Sequence, residues 1–536
     1  MVQYDEKRSL FRYANFDVNA LCSIASQQRE GIPCSCDLDQ HPASGSFNWA
    51  VTVLFKDGVE WILRSPRDDS TQISKEVSAK LLSSEAATLN YLSAHTDIPV
   101  PKVHSYCAIP ENETGIPFIL MSKANGRSLD KVWRLSHSDN QLSSAMKSKV
   151  LFQLGSITWK LAQIRFDHIG SLFEENGSFV IGESLSRGHL LHERHSLEDI
   201  PHGPFAESDE FYRSLISAFK QHAEILPLTH HCFTVPLPSA GDFEDDAEYL
   251  KACDLWNDFV TVGAKIDSAE NRLDYVIVGD ALHDLIRRKS STWPEITPTN
   301  PFPLHYPDLS ANNIFVDDDC NITCIIDWAF SSTVPFPLLL APPGLPQSRY
   351  PLEIDRGRLS DFRNGYQEAS SSGHPNNADT FLVSGAIQLL EDSLFAWSLI
   401  RLLSFDSTDD LGLFRKLWEA VHRSDSMLES YISLQRSLPH YQKLYQEIKA
   451  EDESFAEIQK LEGDYFRSNP SDQSLARYLT LISNWNSQYT GLDHTGIRKT
   501  NHMFIAEPQL WRWLNNYKKS RRLLKCSLGP KKTSNT

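Results

Sequence analysis

The sequence predicts an α+β fold in two lobes, a small one built on antiparallel sheet and a larger, mainly helical one with insertions. Three observations carry this. Residues 51–55 and 61–64 are β-rich runs around Lys56-Asp57-Gly58, a D-G turn of the kind that closes hairpins. From 145 to 168 apolar residues recur at helical spacing, as Val150, Leu151, Leu154, Ile157, Leu161 and Ile164. Residues 313–316 and 322–326 read as two further short strands around the acidic turn Asp317-Asp318-Asp319-Cys320-Asn321. A chain of 536 residues with 41% hydrophobic residues buries a core large enough for both lobes.

The second hairpin carries the chemistry. His305-Tyr306-Pro307-Asp308 precedes it, Asn313 opens its first strand, and Asp327 follows its second, so residues fourteen apart in sequence come to the same end. Asp308 can accept a hydrogen bond from a substrate hydroxyl and orient it toward a phosphorus atom. Asn313 and Asp327 offer the hard oxygen ligands that Mg²⁺ prefers. Earlier in the chain, Gly45-Ser46-Phe47-Asn48 precedes the first hairpin. A glycine there lets backbone amides approach phosphate oxygens, with Ser46 and Asn48 as additional donors, although a full GxGxxG is lacking.

With these residues in view, His305 to Asn313 together with Ile326-Asp327-Trp328 resemble the signature of the aminoglycoside phosphotransferase-like family, in particular its fungal branch. Gly45 to Trp49, the run from Asp57 to Arg67, Ser84-Glu85-Ala86 and Ile98-Pro99-Val100-Pro101 resemble its small-lobe segments in the same order. The resemblance covers about residues 20–345 and implies a protein-kinase-like fold. It implies a nucleotide site as well. Arg64 stands where kinase-like folds place a strand lysine that contacts the α- and β-phosphates, with Glu85 on the following helix as its partner. Arginine keeps the charge and changes the geometry, since guanidinium forks onto an anion. The apolar run ending at Met121-Ser122-Lys123 resembles the hinge between lobes, whose backbone would meet an adenine edge.

The remaining chain sets boundaries. Residues 1–123 are expected to form the nucleotide-binding lobe with its hinge, and 124–515 the catalytic and substrate lobe. Within the latter, 171–300 is a helical insertion, with an apparent helix over 245–289, and 378–515 a helical extension. Residues 334–343 are too proline-rich for a regular element. Residues 516–536 form a basic tail carrying Lys518, Lys519, Arg521, Arg522, Lys525, Lys531 and Lys532 without an acidic residue. The histidine-dense run 188–195 lacks the Cys or carboxylate that would complete a zinc set and reads as a polar surface loop.

Composition excludes some function classes. A net charge of −17 argues against nucleic-acid binding, and an acidic surface attracts cations, so a cationic acceptor is among the options. No apolar run is long enough for a membrane span. Nine scattered cysteines, and an N-terminus without the pattern of a secretory signal, predict a reducing, cytoplasmic setting. Together these features predict a small-molecule kinase that uses ATP and Mg²⁺, with a hydroxyl as acceptor. A protein kinase is disfavoured by Ser310, where those enzymes carry lysine, and by the lack of an Ala-Pro-Glu motif after Asp327. A nucleotide-binding pseudokinase is disfavoured by the presence of Asp308, Asn313 and Asp327 together.

Overall fold

A computed structural model of the chain describes residues 9–45, 47–67, 73–133, 143–226, 228, 269–293, 301–343, 345, 356–372, 389–405, 410–422, 426–451 and 467. The chain divides into two compact units, one comprising Met1–Phe219, Leu282–Gln347 and Glu353–Phe405, the other Lys220–Ala281, Ser348–Leu352 and Asp406–Thr536. Ser46, residues 245–268 of the expected insertion helix, much of 452–515 and the basic tail lie outside the described residues.

The first unit holds the sheet lobe and the hairpin that bears Asn313 and Asp327. It begins with α1 (Val18–Gln27), whose N-cap Asp17 accepts hydrogen bonds from the amides of Asn19 and Ala20. Next come β1 (Cys34–Ser35), β2 (Ala43–Ser44), β3 (Asn48–Phe55), β4 (Glu60–Pro66), α2 (Lys75–His95), β5 (Val103–Cys107) and β6 (Phe118–Ser122). They form an antiparallel sheet in the order β1-β3-β4-β6-β5, with β2 on β3. Alternation sets the faces: Trp49, Val51, Val53 and Phe55 of β3 and Trp61 and Leu63 of β4 are buried in one core with Leu21 of α1. Arg64 therefore points to the opposite face. Gly58 closes the β3–β4 turn at φ +84°, a conformation that glycine adopts without strain.

After the hinge come β7 (Arg127–Ser128), α3 (Asp130–Trp133), α4 (Ser144–Gln163), β8 (Arg165–Phe166), β9 (Leu172–Glu175), β10 (Ser178–Ile181), α5 (Arg187–Leu190), α6 (Ser208–Ile225) and α7 (Ala269–Ser290). The chain continues through β11 (Phe302–His305), β12 (Ile314–Val316), β13 (Ile322–Ile325), β14 (Ser332–Thr333), α8 (Phe336–Leu339), α9 (Arg356–Ser372) and α10 (Ser393–Leu403). Two small sheets, β7-β12-β13 and β8-β11-β14, place the hairpin and the strand that leads into it. The fold is thus two-lobed α+β, with an antiparallel-sheet lobe and a mainly helical one. Gly126, at φ +87°, lets the chain leaving the hinge pass the hairpin, because a Cβ there would lie 2.3 Å from the Val316 carbonyl oxygen.

The second unit contains α11 (Asp410–Val421), α12 (Ser426–Ser437) and α13 (Pro439–Glu451). Within it the Tyr275 hydroxyl donates to Asp410 at 2.8 Å, the Tyr441 hydroxyl donates to Asp280 at 2.7 Å, and Arg436 Nε donates to Asp274 at 2.7 Å.

Two local expectations are corrected. Residues 334–343 contain a helical turn, α8, because Pro335 takes the N-cap position and Pro337 falls at the helix start, where a missing N–H leaves no bond unmade. The histidine-dense run is no surface loop: His189 and Arg194 are completely buried, each with polar partners inside the protein.

Helices α4 and α9 meet at two glycines. A Cβ on Gly155 would lie 2.0 Å from the Phe362 carbonyl oxygen, and one on Gly365 would lie 1.9 Å from that of Phe152. Backbone leaves no room for a methyl group. Gly155→Ala and Gly365→Ala are each expected to destabilise the protein by about 1–3 kcal/mol or more, the usual range for overpacking, read as a lower urea midpoint than wild type.

Candidate active site

The end of the hairpin is built by backbone pairing. Ile314 faces Ile325, and the amide of Ile326 donates to the Asn313 carbonyl at 2.9 Å, so Asn313 and Asp327 leave the ladder at the same end. Asp327 has φ +63°, a left-handed conformation that is costly for a residue with a Cβ and that clusters at functional positions. It is held there from several sides. The Tyr306 hydroxyl donates to the Ile326 carbonyl at 2.7 Å, and the Tyr306 and Trp328 rings lie 4.5 Å apart. Burial, followed by the charge of Asp308, pushes the Tyr306 phenol well above its ordinary range, so it stays a donor.

Asp308 sits in the loop between β11 and β12. The Asn313 side-chain amide donates to Asp308 Oδ2 at 3.1 Å and to the Asp308 carbonyl at 3.2 Å. Those bonds fix the carboxylate and leave Asn313 Oδ1 as the oxygen a cation can take. With the Asp327 carboxylate it makes two hard oxygen donors at one hairpin end. That set fits Mg²⁺, which keeps several waters and completes its shell with substrate phosphates.

Arg64, on β4, forms ion pairs with both Glu85 of α2 and Asp327. The Glu85 carboxylate also takes a hydrogen bond from the Trp328 backbone. Burial raises Glu85 above the usual carboxylate range. Arg64 is raised further: its burial opposes the charge, but Asp327 and Glu85 outweigh it, so the guanidinium stays charged. A single cation therefore ties the sheet lobe, its helix and the hairpin. The pair with Glu85 follows the sequence expectation; the second pair, with Asp327, has no counterpart in it.

Of the other expected nucleotide contacts, Gly45 and Asn48 bracket the β2–β3 turn, and the Gly45 amide donates to the Asn48 carbonyl at 2.9 Å. Met121 and Ser122 belong to β6. The Ser122 amide donates to the Lys102 carbonyl at 2.9 Å and that of Lys123 to the Glu60 carbonyl at 3.4 Å, while the Lys123 side chain pairs with Glu60 at 2.6 Å. The amides of Ser122 and Lys123 are thus engaged within the sheet lobe itself.

One functional neighbour had no sequence signal. Arg187 Nη1 lies 3.6 Å from Asp308 Oδ2, across 121 positions of sequence and from the position just before the run taken for a surface loop. Phe47 is a second: its ring meets Phe330 at 5.6 Å, joining the β2–β3 turn to the segment after Asp327. No cluster of three or more His, Cys, Asp or Glu side chains suited to a metal occurs among the described residues.

The model of the phosphotransferase enzyme family, APH, matches residues 42–336, more than half of the sequence, and the chain belongs to that family. Over 173 residues it is 31% identical to a subtelomeric hrmA-associated cluster protein of Aspergillus fumigatus, covering 30% of this chain and 32% of that protein. Over 310 residues it is 25% identical to altered inheritance of mitochondria protein 9, mitochondrial, of Scheffersomyces stipitis, covering 53% of this chain and 45% of that protein. The chain thus spans less than half the length of these relatives. Among solved structures, the macrolide 2'-phosphotransferase MphH of Brachybacterium faecium aligns with 81% of this chain and 99% of its own at 13% identity and a TM-score of 0.31, a likeness too distant to add to the site's own geometry.

The relatives correct the expected compartment. Those from S. stipitis, Kluyveromyces lactis and Candida glabrata are named as mitochondrial, which overturns the cytoplasmic expectation. The criteria behind it never separated the two compartments, since a mitochondrial leader is amphipathic rather than continuously apolar and so differs from a secretory signal. No helix among the described residues is long and apolar enough to cross a membrane.

Desolvation pulls His305, which ends β11, down to about 4. An unfolded histidine titrates near 6.5, so between about pH 6.5 and 4 the unfolded chain binds more protons and stability falls as pH falls. His305→Asn is expected to lose less stability across that window than wild type, as measured by urea unfolding at a series of pH values.

Proposed function

We propose that this chain transfers the γ-phosphate of ATP to a hydroxyl of a small molecule. The observation that carries the proposal is the fixing of Asp308 by Asn313 at the hairpin end that also bears Asp327. Asp308 orients the acceptor hydroxyl and takes its proton as the oxygen forms a bond to the γ-phosphorus. The bond from that phosphorus to the bridging oxygen breaks, and ADP leaves with the electron pair. Asn313 and Asp327 would hold Mg²⁺, which neutralises phosphate charge when bound. Arg64 lies beside Asp327 and is poised to meet the α- and β-phosphates, with Glu85 holding its second edge. The mitochondrial relatives support mitochondria as the setting.

The test is ATP consumption across a library of hydroxylated and aminated metabolites, with Asp308→Asn and Asp327→Ala as controls. Asp308→Asn is expected to lower kcat by roughly 10²- to 10⁴-fold, the usual effect of a positioned base, while affinity for a non-hydrolysable ATP analogue stays nearly unchanged. Asp327→Ala is expected to weaken Mg²⁺ titration as well as turnover. Nucleotide binding without turnover in any form would indicate a pseudokinase, and an unaltered metal titration in Asp327→Ala would remove that residue from the metal site.

A further inference from the structure

Arg187 Nη1 lies 3.6 Å from Asp308 Oδ2, beside the carboxylate to which the acceptor hydroxyl would bond. Among the described residues Asp308 is its one side-chain partner, and the distance exceeds a hydrogen bond. Its side chain is only 23% exposed. The nucleotide side of the site already has its own cation, Arg64, paired with Asp327.

The turn that carries Arg187 is held firmly. His189, two residues on, is fully buried and hydrogen-bonds Ser186 Oγ at 2.8 Å through Nδ1 and Ser214 Oγ at 2.9 Å through Nε2. Burial keeps His189 neutral, with its proton affinity well below the ordinary value. From the other side Arg194 Nη1 donates to the Gly188 carbonyl at 2.7 Å. A residue fixed this way presents its charge at a set place, the condition for recognising a ligand rather than screening a surface.

We infer that Arg187 recognises an anionic group, a carboxylate or a phosphate, that the acceptor carries close to its reacting hydroxyl. This rests on the phosphotransferase reading above. A hydroxyl bonded to Asp308 brings its neighbouring substituents within reach of the guanidinium fork, which matches either anion in bidentate geometry. The acidic overall charge of the chain then does not set the acceptor's charge; the cation beside the base does.

The test uses two matched series on the full chain with ATP and Mg²⁺: glycerol, serinol, glycerate and glycerol 3-phosphate, and glucose, glucosamine, gluconate and glucose 6-phosphate. ATP consumption and binding are both measured, the latter by calorimetry with a non-hydrolysable ATP analogue present. Turnover is expected with anionic members, and the comparison of glycerate with glycerol 3-phosphate, or gluconate with glucose 6-phosphate, separates carboxylate from phosphate. R187A should raise KM for the anionic members roughly tenfold or more, as for a lost hydrogen bond to a charged group, with a smaller change in kcat and unchanged affinity for the ATP analogue. R187K should restore part of the loss. Equal use of neutral or cationic members, a rise in KM shared by all members in R187A, or no saturable binding of any anionic member would overturn the inference. Charge-indifferent ATP consumption would sink this inference and leave the phosphotransferase reading standing. Arg187-dependent binding of an anion without ATP consumption would do the reverse.

Discussion

The double ion pair of Arg64 is the interaction on which the site depends. It joins β4, α2 and the segment after β13, elements separated by as many as 263 positions of sequence, through one buried guanidinium. Its partners differ in exposure: the Glu85 side chain is 5% exposed and that of Asp327 is 38%. Glu85 is thus the structural anchor, and Asp327 the partner that can exchange Arg64 for other ligands. A buried charge stripped of its partner is costly, about 3–5 kcal/mol, so the sheet lobe and the hairpin are held together by electrostatics as well as packing. The apolar contribution comes from Phe330, which packs with Leu81, Leu185, Leu190 and Leu191 and with Phe47 of the β2–β3 turn.

Arginine suits this arrangement better than lysine. Its two edges engage two carboxylates at once, whereas an ammonium offers a single point of charge. The hairpin receives its own support from Tyr306, which bonds the carbonyl before Asp327 and lies in the same His305-Tyr306-Pro307-Asp308 run as the base. Asp308, Asn313, Asp327 and Arg64 are therefore linked through hydrogen bonds and backbone pairing, not placed independently on separate loops.

Much of this was legible in the sequence because it is local. The D-G turn fixed the β3–β4 hairpin, the acidic turn fixed β12 and β13, and the spacing of Asp308, Asn313 and Asp327 gave the site its chemistry. Arg64 and Glu85 were paired through the family resemblance, and the geometry bears that pair out. What the sequence hid was long-range. Arg187 and Phe47 reach the site only through the tertiary fold, and the burial of His189 and Arg194 contradicts their polarity because serine and backbone partners far along the chain satisfy them. That the Ser122 and Lys123 amides bond within the sheet lobe was also hidden, since it depends on where a strand ends, which residue type does not specify. The compartment was missed because redox and secretory criteria do not distinguish cytosol from mitochondria.

The most direct test of the linked site is a double-mutant cycle on Arg64 and Glu85 with ATP-analogue affinity as the readout, since the two residues lie on different elements and share one guanidinium. Arg64→Ala is expected to weaken binding, Glu85→Gln to weaken it less, and the double variant to be little worse than Arg64→Ala alone, because residues acting as one unit are not additive. Additive losses would show that each acts by itself and would contradict the account of Arg64 as the bridge on which the site is built.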